Sequence, residues 1–199
     1  VELDDGTRIE CGHAVVACGH LSAALAPSAA SRLFPVKGEA IEVMAPNSPG
    51  YPLRHAAYAR AGGRDLYAVP RWDGRLAAGV THEPGRADTV PTPRNLAGIR
   101  RGLAALSPAA AGWRQRRHWA GVRPGSEDGV PLIGALDLYG RVVLATGHGG
   151  FGITLAPVTA ELTAALITGD EAAPGTADLL ARCDPARFTQ APVPAPTEG

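Results

Sequence analysis

Residues 147 to 152 read Gly-His-Gly-Gly-Phe-Gly, four glycines in six positions, between the apolar run "RVVLAT" and the helix-like "LAPVTAELTAALITGD". Glycine carries an entropic cost, so a cluster marks a place where backbone must turn sharply or come close to something. At a strand-to-helix junction the first helical N–H groups have no intrahelical partner and stand at the positive end of the helix dipole. Such a loop can cradle an anionic or electron-rich part of a cofactor; the plain alternative is a flexible turn. A P-loop would need Gly-Lys-Ser/Thr, which is absent. The dinucleotide fingerprint together with its acidic residue about 20 positions on is not assembled either. His148 and His20 each follow the last glycine of a strand end. A metal would need further ligands nearby in sequence, and none is there, so no metal is expected and each histidine reads first as a hydrogen-bonding loop residue.

The elements that must hold this loop follow from pattern. "VVACGH" (15–20) and "VLATGH" (143–148) share one order of residue types: two apolar residues, Ala, a small residue, Gly, His. Both read as buried strands of a parallel sheet, covered on both faces and ending alike. Ligands in open α/β sheets sit beyond the carboxyl ends of such strands. Val158, Leu162, Ala165 and Leu166 share one helical face, with Pro157 in the first turn and Gly169 as the stop. The middle of the chain differs. "DLYAVPRWDGRLAAGVT" reads as a hairpin with Asp73-Gly74 at its tip. "TPRNLAGIRRGLAALSP" reads as a helix capped by Thr92, with Pro93 in its first turn and Leu96, Ile99, Leu103 and Leu106 on its inner face. "WRQRRHWAGVRPGS" reads as a strand, with Arg114 to Arg117 on an exposed edge. The expected class is therefore α/β with an antiparallel α+β insertion.

Composition bounds the rest. The chain has 199 residues, 45% hydrophobic but only 5% aromatic, so its core must be mostly aliphatic. Nineteen basic and nineteen acidic residues cancel, which argues against a non-specific nucleic-acid binder. No apolar stretch is expected to reach the roughly 18 residues that a membrane span needs. Cys11, Cys18 and Cys183 have no metal-ligand spacing, and an odd count fits buried or half-buried free thiols in a reducing cytoplasm.

Four separated stretches resemble one family: "PVKGEAIEV", "YAVPRWDGRLAAGVTHEPG", "WAGVRPGSEDGVPLIGA" and "VVLATGHGGFGITLAPVTAELTAALITG". They are similar to landmarks of the FAD-dependent amine and amino-acid oxidases (the D-amino-acid oxidase superfamily), above all its glycine oxidase branch, which serves thiamine biosynthesis. "HAVVACGHLS" resembles that family's strand and turn reading roughly "VVVAAGAWS". The likeness runs from about residue 1 to residue 188.

The resemblance implies a Rossmann-like FAD-binding domain, present in part as residues 1–34 and 124–185, an inserted antiparallel substrate domain at 35–123, and a loose tail at 186–199. It implies that Gly147, His148, Gly149, Gly150, Phe151, Gly152 and Ile153, with Gly19 and Gly38, border the flavin. Arg123 would be the catalytic arginine that forks onto the substrate carboxylate, with Tyr67 lining the same pocket. Tyr51 and Tyr58 are weaker candidates for that lining. The expected reaction is oxidation of the C–N bond of glycine, sarcosine or a D-amino acid, with hydride transfer to flavin, giving imine, then keto acid and ammonia, and hydrogen peroxide. Departures remain. The family's N-terminal GxGxxG unit is not among these residues, which fits a C-terminal portion of a longer protein, a truncated product, or one half of a split protein completed by a separate FAD-binding chain. "GHGG" stands where glycine oxidases read "GHFRNG", which leaves the amino acid open. Two alternatives stay open: a dehydrogenase with an acceptor other than oxygen, and a non-catalytic fragment. A homo-oligomer is compatible with all of these.

Overall fold

The computed structural model describes residues 1–27, 31–44, 54–61, 64–170 and 173–188. Tyr51 and the tail beyond residue 188 lie outside them. The chain forms two compact units, one of residues 1–34 and 123–199 and one of residues 35–122.

In the first unit, β1 (Ala14–Val16) pairs in parallel with β9 (Val142–Thr146), and β8 (Leu132–Ala135) pairs antiparallel with β9 on its other side. The register sets Ala14 opposite Val142 and Leu132 opposite Thr146. Alternation along β9 sends successive side chains to opposite faces. Leu144 joins Leu132, Leu33 and Ala26 in one apolar cluster. The other face of the sheet has its own cluster of Ile133, Leu162 and Cys183. The expected double cover holds for β9, whose last four residues are buried. It fails for β1, where Val15 is 43% exposed, because β1 is a sheet edge and no described residue covers that side. The cysteines also depart from expectation: Cys183 is buried, but Cys11 and Cys18 are exposed free thiols.

The helix after the glycine loop, here called α3 (Gly152–Thr168), begins inside the loop itself, so Pro157 lies within it and not in its first turn. The missing proline N–H removes a bond only to the carbonyl of Ile153, close to the helix start, where the penalty is small. Gly169 closes the helix at φ +73°, in the left-handed region that favours glycine. Leu162 packs inward with Val158 and Leu166 beside it. The rest of the helix is apolar on nearly every side and exposed, Ile153 at 95%. By length and composition alone, Gly149–Thr168, with mean hydropathy 1.5, is long and apolar enough to cross a membrane. This corrects the expectation that no apolar stretch is long enough; Thr154, Thr159, Glu161 and Thr163 interrupt the apolar residues along it.

The second unit is built on β2 (Leu33–Met44), which continues into it from Phe34. Its sheet has the order β3 (Ala57–Ala61), β4 (Arg64–Pro70), β5 (Arg75–Gly79), β2, β6 (Glu83–Pro84), with β7 (Arg114–Ser126) also pairing with β2. The β4–β5 hairpin turns at Asp73 and Gly74, and Gly74 takes φ +90°. A helix, α2 (Pro93–Leu106), lays Ile99 and Leu103 on Ile41, Val43, Leu66 and Leu76. Thr92 caps it, its hydroxyl oxygen accepting from the Asn95 N–H at 3.3 Å. Arg114, Arg116 and Arg117 are exposed on β7.

Charges are buried under this sheet. Lys37 and Glu39, both on β2, have fully buried side chains. Lys37 Nζ donates to Asp88 Oδ1 at 2.6 Å and to the Val90 carbonyl. Glu39 accepts from the Thr92 N–H, from Asn95 Nδ2 and from the Thr92 hydroxyl, and contacts His118 Nε2 at 2.9 Å. Hydrogen bonds from Lys37 and Arg86 hold the Asp88 carboxyl far below the usual range. Burial acts to raise the Glu39 carboxyl, but the donors around it outweigh that effect and hold it below its ordinary value.

Candidate functional site

The carboxyl ends of β1 and β9 open together, as parallel pairing requires. Thr146, the last residue of β9, is buried and donates its hydroxyl to the Gly19 carbonyl at 2.9 Å. That bond ties the turn after β1 to the loop after β9. The Ser22 hydroxyl accepts from the Cys18 N–H and fixes the other side of the first turn. The two sequence-matched strand ends thus become two walls of one place.

Between them runs a cleft of about 680 Å³, lined by Gly19, Thr146, His148, Gly149, Gly152 and Thr159 over an aliphatic floor that includes Val15 and Ala145. The glycines serve different needs. Gly147 takes φ +80°, and a β-carbon there would stand 2.8 Å from Leu132 Cδ1 and 3.2 Å from the Leu132 backbone nitrogen. Gly149 takes φ +55° with open space where a β-carbon would be. One is forced by packing below, the other leaves the cleft side bare. The short turn Gly149–Phe151 then leads directly into α3, whose start carries no side-chain cap. Its first N–H groups are available to negative charge. Phe151 and Ile153 are largely exposed.

His148 Nε2 lies 2.9 Å from the Thr159 hydroxyl, and burial holds the imidazole below its ordinary value. It is a neutral hydrogen-bonding loop residue at pH 7. Among the described residues no cluster of three His, Cys, Asp or Glu could hold a metal ion. His20 lies in the short helical turn Gly19–Leu21 and is not among the residues that line the cleft.

Arg123 stands near the end of β7 beside the loop: a β-carbon built on Gly150 would come within 4.0 Å of its Cδ and Nε. The structure therefore brings together Gly19, the 147–153 loop and Arg123, all in the first unit. Gly38 and Tyr67 belong to the second. Gly38 is buried in β2 between Lys37 and Glu39, and Tyr67 is half-buried on β4, opposite Tyr58 and Gly79 in register. Tyr58 is 77% exposed.

The glycines at 147, 149 and 152 do keep the G-x-G-x-x-G spacing. A dinucleotide unit would add a second parallel strand after the helix. Among the described residues the chain instead forms another helix, α4 (Thr176–Cys183), so the loop is no pyrophosphate fingerprint. The features present suit a flat, electron-rich ring: a mostly apolar cleft within the usual ligand-pocket range of roughly 300–1,000 Å³, one glycine side left bare, and uncapped helix N–H groups.

Sequence reading missed three things. The buried Lys37–Glu39 pair had a signal, charges at alternate positions of an apolar strand. Thr146 had one too, as the small polar residue at the end of a buried run. The third is Ser126, for which the sequence gives no signal.

The sequence profile of a family described as "FAD dependent oxidoreductase" matches residues 1–166. Among curated proteins, the glycine oxidase of Bacillus licheniformis is 35% identical over 163 residues, covering 81% of this chain and 42% of that protein. The bifunctional protein ThiO/ThiG of Synechocystis is 35% identical over 161 residues, 78% of this chain and 23% of that protein. Among solved structures, glycine oxidase from Geobacillus kaustophilus superimposes with a TM-score of 0.72 at 31% identity, over 81% of this chain and 42% of that one. L-proline dehydrogenase from P. horikoshii superimposes at 0.75 and 23% identity, which speaks for the fold alone. The chain spans less than half the length of these relatives.

Proposed function

The chain belongs to the FAD-dependent oxidoreductase family, and we propose that it carries the flavin-ring cradle and the carboxylate anchor of an enzyme that oxidises the C–N bond of a small amino acid. The substrate class is glycine, sarcosine or a D-amino acid. The observation that carries the reading is the meeting, in one unit, of the 147–153 loop with its uncapped helix start and the Arg123 side chain against Gly150.

FAD, when bound, accepts the hydride from the substrate Cα. The residues of this chain do the rest. Backbone N–H groups at the start of α3, fixed in advance by the helix, would stabilise negative charge that develops on a ring held by the loop. Gly149 and Gly150 allow a ring to approach the backbone closely. Arg123 supplies a planar pair of donors that fixes a carboxylate by two hydrogen bonds and so sets the angle of the substrate. A substrate amine that arrives neutral loses its Cα hydride and one N–H proton and becomes an imine. Water converts the imine to a 2-oxo acid and ammonia, or methylamine where the substrate is sarcosine. Positioning then carries most of the rate.

The apolar, exposed faces of β1 and α3 support a further part of the reading: the segment that holds the rest of FAD, in the same polypeptide or as a separate chain, covers them. The test is peroxide and keto-acid formation from glycine, sarcosine and D-alanine by the FAD-supplemented protein, alone and with an N-terminal FAD-binding segment of a relative, beside Arg123→Ala. Product that depends on Arg123 supports the reading. Flavin binding with no carboxylate-dependent turnover in either assembly rejects it.

A further inference from the structure

Ser126 is 5% exposed, and its Oγ is fully buried with no hydrogen-bond partner among the described residues, the only side-chain atom in that condition there. Buried hydroxyls nearly always have a partner, because losing water without replacement is costly. The place of this one is informative. A β-carbon on Gly147 would stand 3.4 Å from Ser126 Cβ, so the serine lies directly behind the first glycine of the cradle. Two residues earlier on the same strand, Pro124 lines the cleft, and both neighbours of Gly147 in the chain, Thr146 and His148, line it as well. Ser126 is thus one layer behind the site. Its own strand end cannot shift easily, since a β-carbon on the preceding Gly125 would stand 2.6 Å from the Phe34 ring.

We infer that Ser126 is a positioning residue for the flavin loop: its hydroxyl is taken up by the Gly147 peptide when the loop settles on a ring, and it holds the loop in that setting. Gly147 permits this because a residue without a β-carbon crosses between backbone settings that any other residue would resist. Ser126 is fixed behind the loop, and the donor is already in place beside the Gly147 backbone.

The inference rests on the flavin reading of the loop, and the experiment separates the two. FAD is titrated into the full chain and into Ser126→Ala, each alone and with an N-terminal FAD-binding segment of a relative, followed by flavin fluorescence, and the flavin-free melting midpoint of each is measured. Ser126→Ala is expected to raise the flavin-free midpoint by about 2–4 °C, by removing an unpaired buried hydroxyl, and to weaken FAD binding about tenfold. A merely structural serine would move both in the same direction. A midpoint that stays or falls means that the hydroxyl has a lasting partner and overturns the inference. Unchanged FAD affinity overturns it too. No FAD binding by the parent chain even with that N-terminal segment present removes the flavin reading for this chain, and the inference with it.

Discussion

Gly150 and Arg123 stand so close that a β-carbon on the glycine would lie 4.0 Å from the arginine Cδ and Nε. That is ordinary van der Waals contact, with room for a methyl group. The proposed cradle and the proposed anchor therefore share one wall of the first unit, and small changes in the loop should register at a carboxylate held by Arg123.

Arg123→Ala is expected to raise the KM for amino-acid substrates by about ten- to a hundredfold, the loss of a charge-assisted pair worth roughly 1.5–3 kcal/mol. Gly150→Ala should change it by less than about threefold, while Gly150→Leu should approach the Arg123→Ala value. Steady-state kinetics on the active assembly checks the series. A Gly150→Leu enzyme that binds carboxylates normally would separate the loop from the anchor.

Gly147→Ala is expected to destabilise the first unit by about 1–3 kcal/mol, because it adds both the left-handed backbone penalty and a clash with Leu132. Gly149→Ala has only the backbone penalty, about 1–2 kcal/mol. Urea unfolding of the two variants should rank them in that order.

His148 should titrate below about 6.5, since its burial disfavours the charged form. The sign follows. The unfolded chain takes up the proton first as pH falls, so the stability that neutral His148 contributes is complete above about pH 6.5 and is lost on acidification through the lower folded value. An imidazole midpoint by NMR at or above the ordinary value would contradict this. His148→Gln, which keeps a polar group toward Thr159, should flatten that part of the stability profile.

The second unit should weaken at lower pH, for a different reason. The Asp88 and Glu39 carboxyls are both held below their ordinary values. Their contribution is complete above about pH 4.5 and is lost as pH falls through the folded values, where the native carboxylates finally accept protons. Melting midpoints between about pH 6 and pH 2 should drop less steeply for Asp88→Asn than for the parent chain. An identical slope would place the acid sensitivity elsewhere.

What could be read from the order of residues was local. Thr92 and Pro93 start a helix, Asp73-Gly74 turns a hairpin and Gly169 stops a helix, each through the backbone preferences of a few adjacent residues. The parallel pairing of β1 with β9 was legible because two distant segments carry the same pattern. The family was legible for a related reason: motifs that bind a common cofactor keep their residue types. Pro157 was misplaced because a run of glycines hid the true start of its helix. Exposure of β1 and α3 was beyond the pattern, since an apolar residue does not say what covers it. Tertiary approach alone decided which side chains meet across the chain. Arg123 meets Gly150, Lys37 meets Asp88 and Ser126 lies behind Gly147 without a partner. Those distances follow from how strands far apart in the chain pack together, and close packing leaves each of them little freedom to change.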